Sequence, residues 1–271
     1  MNELTDTHCH IQSIGLVEGE KTTRELWAKV PELTVQAVLS NAAQNMVTRI
    51  VCVGCDLEDS RLAINFVSDR PNCWASIGIH PHEAKHYAGK ADLLGDFAAL
   101  AHTEKVVAIG ECGLDYFYEH SPKDNQKELL QFQLELAANS HLPMIFHVRE
   151  AFDDFWPLFD RYSGVAGIVH SFTDSVENMK QALERGLYIG VNGIATFAKN
   201  PAQLDVYKAI PLSRLVLETD APFLTPTPYR GSINEPKHIK EIAHFLSELR
   251  AENFETIAQT TTENACKLFS L

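Results

Sequence analysis

Short apolar runs alternate with amphipathic segments along almost the whole chain. Eight of the runs have the length and continuous hydrophobicity of buried strands, and the segments between them have apolar positions at helical spacing. The predicted strands cover residues 4–10, 49–54, 73–79, 105–110, 143–146, 165–169, 187–191 and 214–217. Strands that are apolar throughout are typical of a parallel sheet whose outer face is covered by helices.

The intervening segments predict a helix at residues 24–45, broken near Pro31, and further helices at 58–69, 93–101, 123–140, 152–162 and 176–185, with a short one after Pro201. Two more, at 237–250 and 254–269, would pack on the outside. Eight strand and helix units favour closure into an α/β fold of the (β/α)8 TIM-barrel type. An open doubly wound sheet is the alternative, but no Gly-x-Gly-x-x-Gly turn follows the first strand. No linker rich in Gly, Pro or Ser interrupts the chain, so we expect one domain spanning residues 1–271.

The first strand contains the sequence Asp-Thr-His-Cys-His at positions 6–10. Residues two apart in a strand point to the same side, so His8 and His10 project together, with Asp6 behind them. Two imidazoles on one face can hold one metal ion. A single His-x-His pair is weak evidence, because such a pair is more often structural.

Single polar residues of the same kind stand at the ends of other predicted strands. They are His80, Glu111, His147, His170 and Asp220. In a parallel barrel the carboxyl ends of the strands meet at one mouth, where barrel enzymes have their active sites. Each residue alone could be a core histidine or a helix cap. Together they would leave buried charge unpaired unless cations were present, so the set predicts a metal centre.

Without His80, four imidazoles and two carboxylates remain, and these six ligands exceed the three or four that one catalytic ion takes from a protein, so the residues favour two ions. We expect Glu111 to bridge them, because it comes from the middle of the barrel order. His8, His10 and Asp220 would belong to one ion, and His147 and His170 to the other. Such a pair of ions lowers the pKa of a bridging water, whose proton Asp220 can accept. The reaction predicted from the residues is hydrolysis.

The charge balance limits the substrates. Lysine and arginine total 23 against 36 acidic residues, a formal charge of −13. This argues against tight, sequence-independent binding of duplex DNA through a basic face, but not against a nuclease that holds its substrate with metals and a few arginines. With no apolar run of ~20 residues and no secretory leader, we expect a cytoplasmic protein that does not enter a membrane. The six cysteines are expected to be reduced.

Six motifs, in this order along the chain, resemble those of the TatD family of metal-dependent deoxyribonucleases, within the amidohydrolase-like superfamily. They are DTHCH at 6–10, GIHPH at 78–82, GECGLDY at 110–116, PMIFHVR at 143–149, HSF at 170–172 and LETDAP at 217–222. The segment YRGSINEP at 229–236 also resembles a family loop.

The resemblance implies a TIM barrel, two divalent cations and hydrolysis of phosphodiester bonds in DNA, often from 3′ to 5′ on single-stranded ends. The family's metal ligands carry over to His8, His10, Glu111, His147, His170 and Asp220. His80 matches a position near the substrate phosphate, and Arg149 follows the ligand on the fifth strand, so we expect both to contact phosphate. For Glu218 we favour a buried supporting role. The family is described as magnesium-dependent, but four imidazoles suit zinc or manganese better.

Two features depart from the family pattern. Gln12 stands where the family commonly has an acidic residue, and the segment 11–23 is longer than usual. Neither removes a ligand, but both leave the substrate open. A hydrolase of a small phosphoester, ester or amide is therefore the alternative to a deoxyribonuclease, and a metal-binding protein without turnover is a third hypothesis.

Overall fold

The computed structural model describes residues 3–17 and 21–271, and it contains all eight predicted strands. These are β1 (Leu4–Cys9), β2 (Val47–Val53), β3 (Cys73–Ile77), β4 (Val106–Asp115), β5 (Met144–Arg149), β6 (Gly167–Val169), β7 (Tyr188–Val191) and β8 (Leu215–Leu217). The strands follow one another in chain order in a single sheet. The order is that of a (β/α)8 TIM barrel, which confirms the predicted fold class.

Ten α-helices lie in the described part of the chain. They are α1 (Lys21–Trp27), α2 (Val35–Gln44), α3 (Leu57–Val67), α4 (Ala91–Ala99), α5 (Lys123–Ser140), α6 (Phe152–Phe159), α7 (Val176–Glu184), α8 (Pro201–Ala209), α9 (Ile239–Arg250) and α10 (Phe254–Phe269). None of these helices is long and apolar enough to cross a membrane.

The chain forms two compact units, which we describe separately. One consists of residues 1–52 and 171–271, and the other of residues 53–170. The prediction of one domain spanning residues 1–271 stays a prediction. In the first unit, α9 and α10 pack against β1 and β8, as expected for the two C-terminal helices. In the second unit, β3 to β6 are joined in parallel registers and carry a core rich in phenylalanine.

The helix predicted at residues 24–45 is in fact two helices. The first, α1, ends at Trp27, and α2 begins at Val35 behind Thr34, whose hydroxyl accepts a hydrogen bond from the backbone N–H of Ala37. Pro31 lacks a donor and disfavours helix in the residue before it, so the break extends over a full loop rather than a kink.

The fourth strand is longer than predicted. It was expected to stop at residue 110, but β4 continues to Asp115 and stays paired with β5. The sequence Cys-Gly after Glu111 resembles a turn, yet Gly113 lies in the strand opposite His147, with a positive φ of +147° that residues with a side chain rarely adopt. A Cβ atom there would overlap the carbonyl oxygen of His147, so only glycine fits. Glu111 consequently lies within the strand, not at its end.

Candidate metal centre

The first unit gathers three predicted ligands into a tight cluster, which we call the β1/β8 cluster: His8, His10 and Asp220. The Nε2 atoms of His8 and His10 are 3.3 Å apart. The Oδ1 atom of Asp220 lies 3.6 Å from the first and 3.4 Å from the second. Both imidazoles are buried, whereas the Asp220 side chain is 16% exposed, so solvent reaches the cluster from the carboxylate side.

Backbone pairing between the ends of β1 and β8 sets this geometry. The N–H of Asp220 donates to the carbonyl oxygen of His8, and the N–H of His10 donates to that of Ala221, both at 2.8 Å. Asp220 has φ of +60°, a left-handed conformation that aspartate tolerates better than most residues. The turn after β8 therefore directs the carboxylate toward the histidines on β1.

A buried aspartate fixes the two strands behind the cluster. The Oδ1 atom of Asp6 accepts hydrogen bonds from the backbone N–H groups of His8 (3.2 Å) and Thr219 (2.9 Å), and its Oδ2 accepts one from the Thr219 hydroxyl (2.5 Å). Burial raises the pKa of Asp6 to about 7, although these hydrogen bonds act in the opposite direction. Asp6 thus holds β1 against the segment after β8.

The second unit gathers the other predicted ligands around Glu111, in what we call the Glu111 cluster. The Oε1 atom of Glu111 lies 2.9 Å from His147 Nδ1, 3.5 Å from His80 Nε2 and 3.8 Å from His170 Nε2. Glu111 is 5% exposed. Three histidines from different strand ends therefore converge on one buried carboxylate oxygen.

Asp115 was not predicted, and it is the main supporting residue of this cluster. Its Oδ2 lies 2.9 Å from His147 Nε2 and 3.1 Å from His82 Nε2. Its Oδ1 accepts the backbone N–H groups of Phe117 (3.0 Å) and Tyr118 (2.9 Å). Asp115 follows Glu111 by four residues on β4, so the two side chains share a face. That signal was available in the sequence, but the strand had been predicted to stop before it.

The pKa values of the two histidines closest to Glu111 are shifted in opposite directions. Burial lowers the pKa of His80 to about 4, against the attraction of Glu111. Burial also opposes the charged form of His147, but hydrogen bonds to Asp115 and Glu111 outweigh it and raise the pKa of His147 to about 9. Burial likewise disfavours the charged form of Asp115, but its hydrogen bonds with His147 and His82 hold its pKa well below the usual range.

The two residues predicted to contact substrate and the residue predicted to support the site lie in different places. His80 belongs to the Glu111 cluster. Arg149 is exposed at the end of β5, where its guanidinium lies over the rings of Phe117 and Tyr118. Glu218 is fully buried and its Oε1 accepts the backbone N–H of Ser171 at 2.5 Å, which fits the supporting role favoured for it.

The segment 11–23, which departs from the family pattern, lies partly within the described residues. Ile11–Ser13 form a short 3-10 helix directly after His10, and Gln12 within it is buried. Residues 14–17 continue the chain, and Val17 is 85% exposed. Positions 18–20 of this segment lie outside the described residues.

A (β/α)8 barrel with clustered histidines and carboxylates at its strand ends is typical of metal-dependent hydrolases. Comparison with known proteins identifies the group. The sequence model of the family described as "TatD related DNase" matches residues 5–270, and the chain belongs to this family. The chain is thus a metal-dependent hydrolase.

Its relatives include proteins with and without a named substrate. The "uncharacterized metal-dependent hydrolase YabD" of Bacillus subtilis is 38% identical, over 99% of each chain. The "3'-5' ssDNA/RNA exonuclease TatD" of Citrobacter rodentium is 34% identical, over 86% of this chain and 91% of the relative. Among solved structures, YjjV, a TatD homolog from Escherichia coli, superposes with a TM-score of 0.85 at 29% identity and covers 99% of this chain and 98% of its own.

Proposed function

We propose that this chain is a divalent-metal-dependent deoxyribonuclease that hydrolyses phosphodiester bonds of DNA, removing nucleotides from the 3′ ends of single strands. Family membership supports nuclease chemistry, and the exonuclease named above shares about a third of its residues with this chain. The cytoplasmic location and the DNA partner remain predictions that go with this proposal.

The observation that carries the proposal is the spacing in the β1/β8 cluster. Ligand atoms bound at ~2.1 Å to one tetrahedral cation are roughly 3.4 Å from one another. The three distances among His8, His10 and Asp220 are 3.3, 3.4 and 3.6 Å. These side chains therefore already have the separation that a zinc or manganese ion requires.

The Glu111 cluster has a compatible donor set for a second cation. The Oε1 atom of Glu111 lies 2.9 Å from His147 Nδ1 and 3.8 Å from His170 Nε2. We propose Glu111, His147 and His170 as the ligands here, with His80 turned to the substrate phosphate. Sharing of Glu111 between two cations stays a prediction, as does the choice among zinc, manganese and magnesium.

In the proposed reaction, the cations, Asp220 and Arg149 have different roles. Divalent cations would supply Lewis acidity toward the phosphodiester and lower the pKa of the attacking water. Asp220 is the partly exposed member of its cluster, so it is the group placed to take up the proton of that water. Arg149 carries a permanent positive charge at the exposed edge of the site and can hold a phosphate of the strand.

Cleavage of a short single-stranded oligonucleotide tests the proposal. One sample carries the label at its 3′ end and its twin at the 5′ end, and chelator-treated protein is reconstituted with magnesium, manganese or zinc. We expect metal-dependent cleavage that removes the 3′ label first and leaves a 5′-labelled ladder. Glu111→Gln should abolish it. Glu104→Gln is the matched control, because Glu104 is exposed and precedes β4 at its opposite end.

A second candidate function is favoured by the formal charge of −13, which repels a polyanion from most of the surface. This candidate is a hydrolase of a small phosphoester, ester or amide. Hydrolysis of such compounds by a fully metallated sample that leaves oligonucleotides intact would support it. A metallated sample that hydrolyses nothing would instead favour a metal-binding protein without turnover.

A further inference from the structure

We propose that Phe117, Tyr118 and Arg149 form a platform that binds an unpaired nucleobase of the substrate strand beside the Glu111 cluster. This inference rests on the proposed function and adds how a single strand is selected. We call the three residues the aromatic platform. Phe117 and Tyr118 are consecutive and each is 50% exposed, whereas most large apolar side chains of the described chain are buried.

The three groups form an ordered arrangement. The rings of Phe117 and Tyr118 are nearly perpendicular, at 88°, with centroids 4.7 Å apart. The guanidinium of Arg149 lies 4.0 Å from the centroid of the first ring and 4.8 Å from that of the second. Tyr118 also stacks on His120 at 5.6 Å. The exposed aromatic surface is therefore held in place before any ligand arrives, which lowers the entropic cost of binding.

The platform is connected to the Glu111 cluster through a single buried carboxylate. Oδ1 of Asp115 accepts hydrogen bonds from the backbone N–H groups of Phe117 and Tyr118, and its Oδ2 contacts His147. Arg149 joins the same arrangement because it pairs with Asp115 across β4 and β5. A strand whose phosphate is held by a cation at the Glu111 cluster would therefore bring a neighbouring base to these rings.

The chemistry of the platform favours a single-stranded polynucleotide. Every base has a π face that can stack on an aromatic ring, and in a duplex that face is covered by neighbouring bases. A planar guanidinium can stack and at the same time pair with a phosphate oxygen. In a chain with 36 acidic residues, such a cationic and aromatic surface next to the Glu111 cluster is suited to this ligand.

The test combines a change in the protein with a change in the substrate. A series of single-stranded oligonucleotides carries one abasic residue at successive positions from the 3′ end. The metal-reconstituted full chain is compared with Phe117→Leu and Tyr118→Leu, which keep apolar bulk but remove the ring. KM is measured on the cleavable strands and Kd on phosphorothioate versions, which resist cleavage. Tyr162→Leu is the control, because Tyr162 lies after α6 and before β6, at the opposite edge of the strands.

We expect the ring-removing variants to raise KM and Kd on the intact strand by roughly 5- to 100-fold, with kcat within a few-fold of wild type. At one position the abasic residue should weaken wild-type binding by a similar factor and have no further effect in the variants. Arg149→Lys should raise KM and Kd by a smaller factor, since lysine keeps the charge but cannot form the planar stack.

The possible results distinguish the aromatic platform from the proposed nuclease activity. Additive losses from the abasic residue and the ring, or no loss in either variant, overturn the platform even if the wild type cleaves DNA. Coupled binding losses with no cleavage by any metal form would support the platform and overturn the nuclease. Absence of both binding and cleavage in the wild type overturns both claims.

Discussion

Asp115→Asn is the substitution whose effect follows most directly from the structure. The amide keeps Oδ1, which accepts the backbone N–H groups of Phe117 and Tyr118, so the local fold should persist. It replaces Oδ2, which lies 2.9 Å from His147 Nε2 and 3.1 Å from His82 Nε2, with an NH2 group. A carboxylate fixes the proton of His147 on Nε2, whereas an amide donor favours it on Nδ1.

That change of tautomer affects the proposed metal ligand itself. Nδ1 of His147 is the ring atom that faces Glu111, at 2.9 Å. With its proton there, the nitrogen cannot bind a cation. Loss of a carboxylate that orients a metal-binding histidine costs roughly 10- to 100-fold in metal affinity, which corresponds to about 1.4–2.7 kcal/mol.

The assay is titration of chelator-treated protein with zinc or manganese in competition with a chromophoric chelator. We expect wild-type protein to bind two equivalents. Asp115→Asn should bind the equivalent at the Glu111 cluster 10- to 100-fold more weakly. Asp124→Asn is the matched control, since its carboxylate is 94% exposed at the start of α5. Wild-type affinity and stoichiometry in a folded Asp115→Asn would refute the reasoning.

Three further tests, one of them with a control variant, concern Asp220, Gly113 and the bound cations. In metal-replete protein, Asp220→Asn should lower kcat by roughly 10²- to 10⁴-fold while KM on single-stranded DNA stays within a few-fold; steady-state kinetics with an unchanged kcat would exclude Asp220 as the proton acceptor. Gly113→Ala should lower the midpoint of thermal unfolding, because its Cβ would overlap the carbonyl oxygen of His147. Gly95 lies in α4 with open space around it, so Gly95→Ala should instead stabilise the folded protein by ~0.5–1 kcal/mol. Equal unfolding midpoints for the two variants would contradict the steric overlap predicted at Gly113. Chelator treatment should lower the unfolding midpoint of wild type, since a cation present at 100 times its Kd stabilises the folded state by about 2.7 kcal/mol; a midpoint that does not depend on metal would argue against cation binding by the folded clusters.

Most of the fold was predictable because buried parallel strands appear in the sequence as short, continuous apolar runs. Apart from the end of β4, all eight strands and the two C-terminal helices lie where the apolar pattern placed them, within a few residues. The period of two along β1 also predicted that His8 and His10 share a side, and their Nε2 atoms are 3.3 Å apart. Local periodicity was sufficient for these features.

Features that depend on pairing between strands were not predictable in the same way. The extension of β4 past Glu111 relies on Gly113 fitting against β5, and a glycine in isolation resembles a turn. Asp115 was missed for that reason. The placement of Arg149 over Phe117 and Tyr118 likewise follows from the register of β4 against β5, which the sequence of either strand alone does not specify.

Anomalous X-ray diffraction from crystals of the manganese-loaded protein would test the central claim most directly. We expect one manganese peak within ~2.3 Å of His8 Nε2, His10 Nε2 and Asp220 Oδ1, and a second within the same distance of Glu111 Oε1 and His147 Nδ1. Fully loaded crystals without a peak at either cluster, or with peaks only elsewhere, would contradict it.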